Sequence, residues 1–106
     1  MNYGEFWARY LAAHQDQRCR ALHYAGTLAG LGLLVHGAVT RDRRSLIAAP
    51  VVGYGAAWFG HLVFEGNRPA TFGHPLWSAL GDFRMLGLFL AGRLGGELGR
   101  YQLGRE

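Results

Sequence analysis

The sequence predicts an all-α fold: a small helical membrane bundle of about four helices, one N-terminal and amphipathic, two to three embedded in the bilayer. Three observations carry that prediction. Two runs, Ala21–Val39 and Leu46–Phe64, hold no Asp, Glu, Lys or Arg and are each close to the ~20 residues that cross a hydrocarbon core. Both are apolar on every side, not striped, which a surface helix of a small soluble protein cannot sustain. Small residues also recur four apart: Gly26 with Gly30, Gly53 with Ala57, and Gly92 with Gly96. That spacing lets helix backbones approach closely where lipid gives no hydrophobic drive to pack. A soluble four-helix bundle with a Gly-rich core is the competing reading, favoured by a mean hydropathy of only +0.02. The length and uniform apolarity of the two runs outweigh it.

The elements follow in order. Residues 3–14 place Phe6, Trp7, Tyr10 and Leu11 at the i, i+3, i+4 spacing of an amphipathic helix. "HQDQR" breaks the pattern and offers Asp16 as N-cap of the next helix. The second segment is Ala21–Val39, whose only groups that titrate near neutral pH are His23 and His36. "TRDRRS" closes it with a polar turn, and Leu46–Phe64 follows, with Pro50 read as part of a first helical turn. A fourth segment runs from about Leu76 to Leu94 and carries Asp82, Arg84 and Arg93, so it spans only if those charges face protein or water. No linker, repeat or low-complexity tract interrupts the 106 residues, so 1–106 is read as a single helical integral-membrane domain.

All eleven basic residues are Arg, and the net charge is +4. They gather at the edges of the apolar segments, as at Arg9, Arg18 and Arg20, at Arg41, Arg43 and Arg44, and at Arg93, Arg100 and Arg105. Nucleic-acid binders instead show a dense basic stripe interleaved with aromatics, so no nucleic-acid partner is expected; the placement suits membrane helix ends. Cys19 is the single cysteine, which excludes an intrachain disulfide and a zinc-finger spacing and leaves a structural thiol. The N-terminus lacks the basic start, apolar centre and small-residue cleavage site of a signal peptide.

The chemistry concentrates in "GHLVFEGNRPATFGHPLW", Gly60–Trp77. His61 and Glu65 stand i, i+4 on one helix face and can point at one object, half of a two-histidine, one-carboxylate iron site. A plain surface or membrane-interface pair is the bland alternative. The short "TRDRRS" turn makes the second and third helices antiparallel neighbours, so His23 and His61 belong at the same depth. If "HQDQ" is a true turn, His14 joins them, and His14, His23, His61 and Glu65 gather at one end of the bundle. A three-ligand site with His14 behind it fits almost as well. His36 lies at the opposite end and reads as an interface histidine, and His74 reads as a loop residue or gate before Pro75. Asn67 can cap carbonyls, orient a ligand or meet substrate; Arg68 can fork onto a substrate carboxylate or sit at headgroup level. Asp82 is expected to bond a histidine N–H or an Arg.

Two stretches also carry a resemblance: "FWARYLAAHQDQRCRALHYAGT" and "GYGAAWFGHLVFEGNRPATFGHPLWSALGDFRM". Over nearly the whole chain they resemble the small membrane proteins that shorten 2-hydroxy fatty acids by one carbon, a family named for the metabolism of phytosphingosine to odd-numbered fatty acids. The resemblance implies an Fe(II)-dependent dioxygenase of fatty acid alpha-oxidation, with Fe(II) as cofactor and a 2-hydroxy fatty acid and O2 as partners. It places the essential histidines at His14, His23 and His61, matches Glu65 to the motif's acid, and matches Pro69 and Ala70 to the turn after it. His36 and His74 fall outside the common pattern, and the chain is shorter between the motifs than the eukaryotic members. It further implies contact with membrane lipids, room for a homo-oligomer, and residence in the inner membrane of a bacterium or the endoplasmic reticulum of a eukaryote. Three readings compete: a bis-His haem protein with His23 and His61 as axial ligands, a non-enzymatic membrane protein with a structural polar cluster, and a zinc hydrolase.

Overall fold

The computed structural model describes residues 1–101, so Arg105 lies outside the described residues. Five α-helices follow one another: α1 (Tyr3–Ala12), α2 (Gln17–Thr40), α3 (Arg43–Gly60), α4 (Pro75–Leu90) and α5 (Leu94–Arg100). A π-helical turn, His61–Glu65, continues α3, and a 3₁₀ turn, Ala70–Phe72, precedes α4. The described residues contain no strand.

Local chemistry explains the starts and stops. Asn2 and Glu5 form a reciprocal capping box on α1. The Asp16 side chain accepts the Arg18 N–H, so α2 begins at Gln17, four residues before the apolar run. Asp42 caps α3 in the same way by accepting the Arg44 N–H. The link between α2 and α3 is therefore only Arg41 and Asp42, with Arg41 in the left-handed region at φ 57°. Because α3 starts at Arg43, Pro50 lies two turns inside the helix and not in its first turn, which corrects the sequence expectation. The expected fourth segment, about Leu76–Leu94, is α4, which stops at Leu90, and Gly92 at φ 73° turns the chain into a further short helix, α5.

The long hairpin of α2 and α3 is zipped by small residues. A Cβ on Gly26 would lie 2.8 Å from the Ala56 Cβ and 3.2 Å from the Gly53 carbonyl oxygen, and one on Gly30 would lie 3.1 Å from the Ala49 carbonyl oxygen. The backbones thus cross where the four-residue spacing places them. Gly96 meets no neighbour within 4 Å, so the Gly92–Gly96 pair is no such contact.

The conventional core sits elsewhere. Phe6, Trp7, Tyr10 and Leu11 of α1 pack with Met85, Leu94 and Leu98 of α4 and α5. Trp7 Nε1–H donates to Glu97 at 2.7 Å, and the Arg84 guanidinium lies over the Trp7 ring. Two helical stretches, Gln17–Thr40 and Arg43–Glu65, are long and apolar enough to cross a membrane, and only 22% of each apolar window is buried. A core helix of a soluble protein would be mostly covered. Here Leu28, Leu34, Val39, Ile47, Val51 and Leu62 stand exposed.

Candidate metal centre

Three histidines from three elements converge at the end of the hairpin. His14 follows α1, His23 lies in the second turn of α2, and His61 opens the π turn. All three are buried, at 1%, 4% and 1% exposure. His14 Nε2 lies 3.0 Å from His23 Nε2 and 2.9 Å from His61 Nε2, and the rings stand nearly perpendicular to one another.

The outer nitrogens decide the tautomers. His14 Nδ1 meets the Tyr10 carbonyl oxygen at 2.5 Å, and His23 Nδ1 meets the Cys19 carbonyl oxygen at 2.9 Å. His61 Nδ1 meets Asn67 Oδ1 at 2.7 Å, and the Asn67 amide is oriented by its own Nδ2–H donating to the Ala13 carbonyl. An oxygen of this kind only accepts, so each Nδ1 must carry the proton. Neutral rings then turn three lone pairs inward, within 3.0 Å of the one on His14. They cannot bond one another; acceptors facing acceptors repel. Protonating a ring would relieve this, but burial first, then the neighbouring His23 and His61, hold His14 well below the usual imidazole range.

A cation resolves the conflict. Three imidazole nitrogens this close can all reach one ion at about 2.0–2.1 Å, with each ring oriented from behind by an oxygen on its Nδ1–H. The three donor atoms lie within 4.8 Å of one another. The residues present therefore fit a divalent metal that accepts imidazole. They do not fit a porphyrin between His23 and His61, because His14 Nε2 stands beside both.

Supporting contacts hold the three elements in register. Arg20, 2% exposed, donates from Nη1 to the carbonyl oxygens of His14 (2.7 Å) and Gln15 (2.9 Å), fixing the loop that carries His14. The Tyr10 ring stacks on His14 at 4.0 Å, and the Tyr10 hydroxyl donates to Asp82 Oδ1. Burial, then the Asp82 charge, hold that phenol well above its ordinary value, so it stays a donor, and burial pushes the Asp82 carboxyl up to about 6. Asp82 was expected on a histidine N–H or an Arg; its partner is Tyr10, one residue further out. The His61 carbonyl accepts the N–H groups of both Gly66 and Asn67 as the π turn closes at Gly66, φ 68°. Gly60 gives α3 room beside α2, since a Cβ there would lie 3.1 Å from Cys19 Sγ.

Glu65 lies outside the three-histidine group. Its Oε2 accepts the Asp16 N–H at 2.7 Å, tying the end of the π turn to the start of α2. Asn67 has both amide atoms engaged, on His61 and Ala13. Arg68 is exposed, its guanidinium over the Phe72 ring, beside a surface pocket lined by Trp58, Leu62 and Asn67. His36 faces Asp42 at 3.8 Å at the far end of the hairpin, and His74 stacks on Trp77. Cys19 is fully buried, its sulfur against Gly60. Sequence reasoning passed over Tyr10 and Arg20. The i, i+4 spacing of Tyr10 and His14 was the available signal for the first; Arg20 gave none, because its partners are backbone carbonyls.

The family model described as 2-hydroxy-palmitic acid dioxygenase Mpo1-like matches residues 1–94. Neither the curated proteins nor the solved structures offer a match.

Proposed function

The chain belongs to the 2-hydroxy-palmitic acid dioxygenase Mpo1-like family, and on that premise we propose that it is an Fe(II)-dependent, membrane-embedded dioxygenase that shortens 2-hydroxy fatty acids by one carbon. The observation that carries this reading is the set of three inward lone pairs, each with its Nδ1 proton committed to an oxygen. A structural hydrogen-bond network would need protons among the inner nitrogens, and neutral rings in these tautomers have none there.

His14, His23 and His61 would hold the ion. Three neutral nitrogens leave its charge for the anionic substrate and leave positions for other ligands, as in non-haem iron oxygenases. Iron, when bound, supplies the one-electron chemistry that makes O2 reactive toward a closed-shell acid. The chain's own residues do the rest. Tyr10, Cys19 and Asn67 fix the ring orientations through their oxygens, and Arg20 and Glu65 hold the His14 loop against the hairpin. We assign Glu65 this bracing role because its Oε2 accepts the Asp16 N–H. Arg68 remains at headgroup level, where it can meet a fatty acid carboxylate.

The balance closes without a further reductant. A 2-hydroxy acid and O2 give an acid one carbon shorter, CO2 and water, and the hydroxyl and carboxyl carbons supply all the electrons that O2 takes up. No 2-oxoglutarate enters. The exposed apolar faces of α2 and α3 suit residence in a bilayer, from which such a substrate arrives.

The test is the metal content of detergent-purified protein beside the His61→Ala variant, followed by turnover of 2-hydroxyhexadecanoic acid with O2. About one iron per chain, lost in the variant, with a shortened acid as product, is expected. Folded protein that takes up no metal after anaerobic Fe(II) loading would overturn the reading.

A further inference from the structure

The three-histidine group accounts for one end of the hairpin; a cavity accounts for its middle. Between α2, α3 and α4 lies a space of about 360 Å³ lined by, among others, Gly26, Leu34, Leu46, Gly53, Ala79 and Asp82. Asp82 is the one carboxylate in that lining, whose other polar side chains are Thr27 and Tyr54. We infer that this cavity seats the acyl chain of the substrate, with its head at the Asp82 end and its methyl end toward Leu34 and Leu46. The inference rests on the reading of a 2-hydroxy fatty acid substrate.

Register supports the direction. Gly26 is three residues beyond His23 on α2 and Leu34 is eleven, so the lining runs from about 4 to about 16 Å below the histidine along the helix axis. The polar end is tied to the metal centre by contact: Asp82 accepts the Tyr10 hydroxyl, and the Tyr10 ring stacks on His14. An amphipathic acid held by its head at the histidines thus meets Asp82 and then a surface that is apolar or small apart from the Thr27 and Tyr54 hydroxyls. The size agrees. If each methylene takes about the 30 Å³ of a water molecule, the cavity seats about a dozen of them, most of the chain of a hexadecanoic acid. The floor is backbone, because Gly26 and Gly53 carry no side chain and face each other.

The rival occupant is a tail of a bilayer phospholipid. The experiment uses the full chain in lipid nanodiscs with 2-hydroxyhexadecanoic acid bearing a diazirine at its methyl end, and maps adducts by mass spectrometry. Adducts at residues 31–34 and 46–50, competed away by unlabelled 2-hydroxyhexadecanoic acid, are the expected result. In Ala79→Leu, whose added carbons enter the cavity, labelling there should fall about tenfold with metal content unchanged. Leu80→Ala, outside the lining, should label as the parent does. Adducts spread over the outer faces at Val35, Val51 and Leu62, or equal labelling of the cavity by a diazirine phospholipid, would overturn the inference. The wild-type map needs no variant, so it decides even if Ala79→Leu misfolds. The two readings also separate: cavity labelling in protein that neither takes up metal nor turns over substrate keeps the seat and removes the dioxygenase, while turnover with scattered labelling does the reverse.

Discussion

Replacing Glu65 by Gln separates a brace from a ligand. The amide oxygen of Gln can still accept the Asp16 N–H that Glu65 now accepts at 2.7 Å, but the charge is gone. A hydrogen bond to a charged group nets about 1.5–3 kcal/mol and a neutral one about 0.5–1.5, so the substitution weakens the tie by about 1 kcal/mol. Since about 1.4 kcal/mol is tenfold in an equilibrium constant, Fe(II) affinity falls by about fivefold even if the whole loss reaches His14. Glu65→Ala goes further, because it strands the Asp16 N–H; there the loss should approach the about 10–100-fold typical of residues that orient metal ligands. The assay is anaerobic Fe(II) competition against a chromophoric chelator in detergent, with thermal unfolding on the same samples. A Glu65→Gln protein that melts like the wild type yet retains no iron would show that Glu65 binds the ion and that a three-histidine assignment is wrong.

Further outcomes follow from the same contacts. Asn67→Ala removes the acceptor that orients His61 and the tie to Ala13, so metal affinity should drop about 10–100-fold, read by the same competition; unchanged affinity would detach Asn67 from the site. Gly26→Ala forces a methyl to 2.8 Å from Ala56 and should destabilise the fold by about 1–3 kcal/mol, read as a lowered midpoint in detergent, which an unchanged midpoint would refute. His36→Ala should keep iron content and turnover, since His36 meets Asp42 at the far end of the hairpin; an inactive protein would place the chemistry at the wrong end. The two helix caps predict an acid limb. Arg18 draws Asp16 down to about 2, and the Ser45 hydroxyl draws Asp42 below its usual value. A carboxyl depressed on folding stabilises above its unfolded value and loses that contribution as pH falls through the folded one, so the metal-free protein should lose cap stability between about pH 4 and 2. Asp42→Asn should flatten that slope in thermal melts, and an unchanged slope would clear the cap of responsibility.

Much of this arrangement was readable in advance because it depends on short-range patterns. Charge-free runs marked α2 and α3, Asp16 marked where α2 starts, and a short turn placed His23 and His61 at one depth. What stayed hidden depends on backbone partners or on distant pairing. Glu65 meets a loop N–H 49 residues away, a partner that residue types do not announce. Asp82 finds a phenol 72 residues away, where a histidine or an Arg was the chemical guess. The π turn is invisible to a period count, because one extra residue per turn over five residues leaves the apolar pattern intact. Pro50 misled for a related reason: proline favours a first turn, but the Asp42 cap was the stronger signal for where α3 begins. The short Gly-rich α5 gives no period of its own and forms by packing Leu94 and Leu98 on α1.

On the assignment proposed above, the three ligands come from different stages of the chain's synthesis. His14 and His23 are made early and His61 later, yet the ring of His14 rests on Tyr10, which is held by Asp82 on α4. The α1 face is covered by Met85, Leu94 and Leu98, which the ribosome delivers after α2 and α3. A hairpin entering a bilayer would then carry His23 and His61 already at one depth, while His14 waits for α4 and α5 to dock. A nascent chain would then have no complete set of ligands for the proposed ion. On that assignment, loading would follow the docking of α4 and α5, and a chain that stalls before α4 would lack the ordered His14 that the site needs.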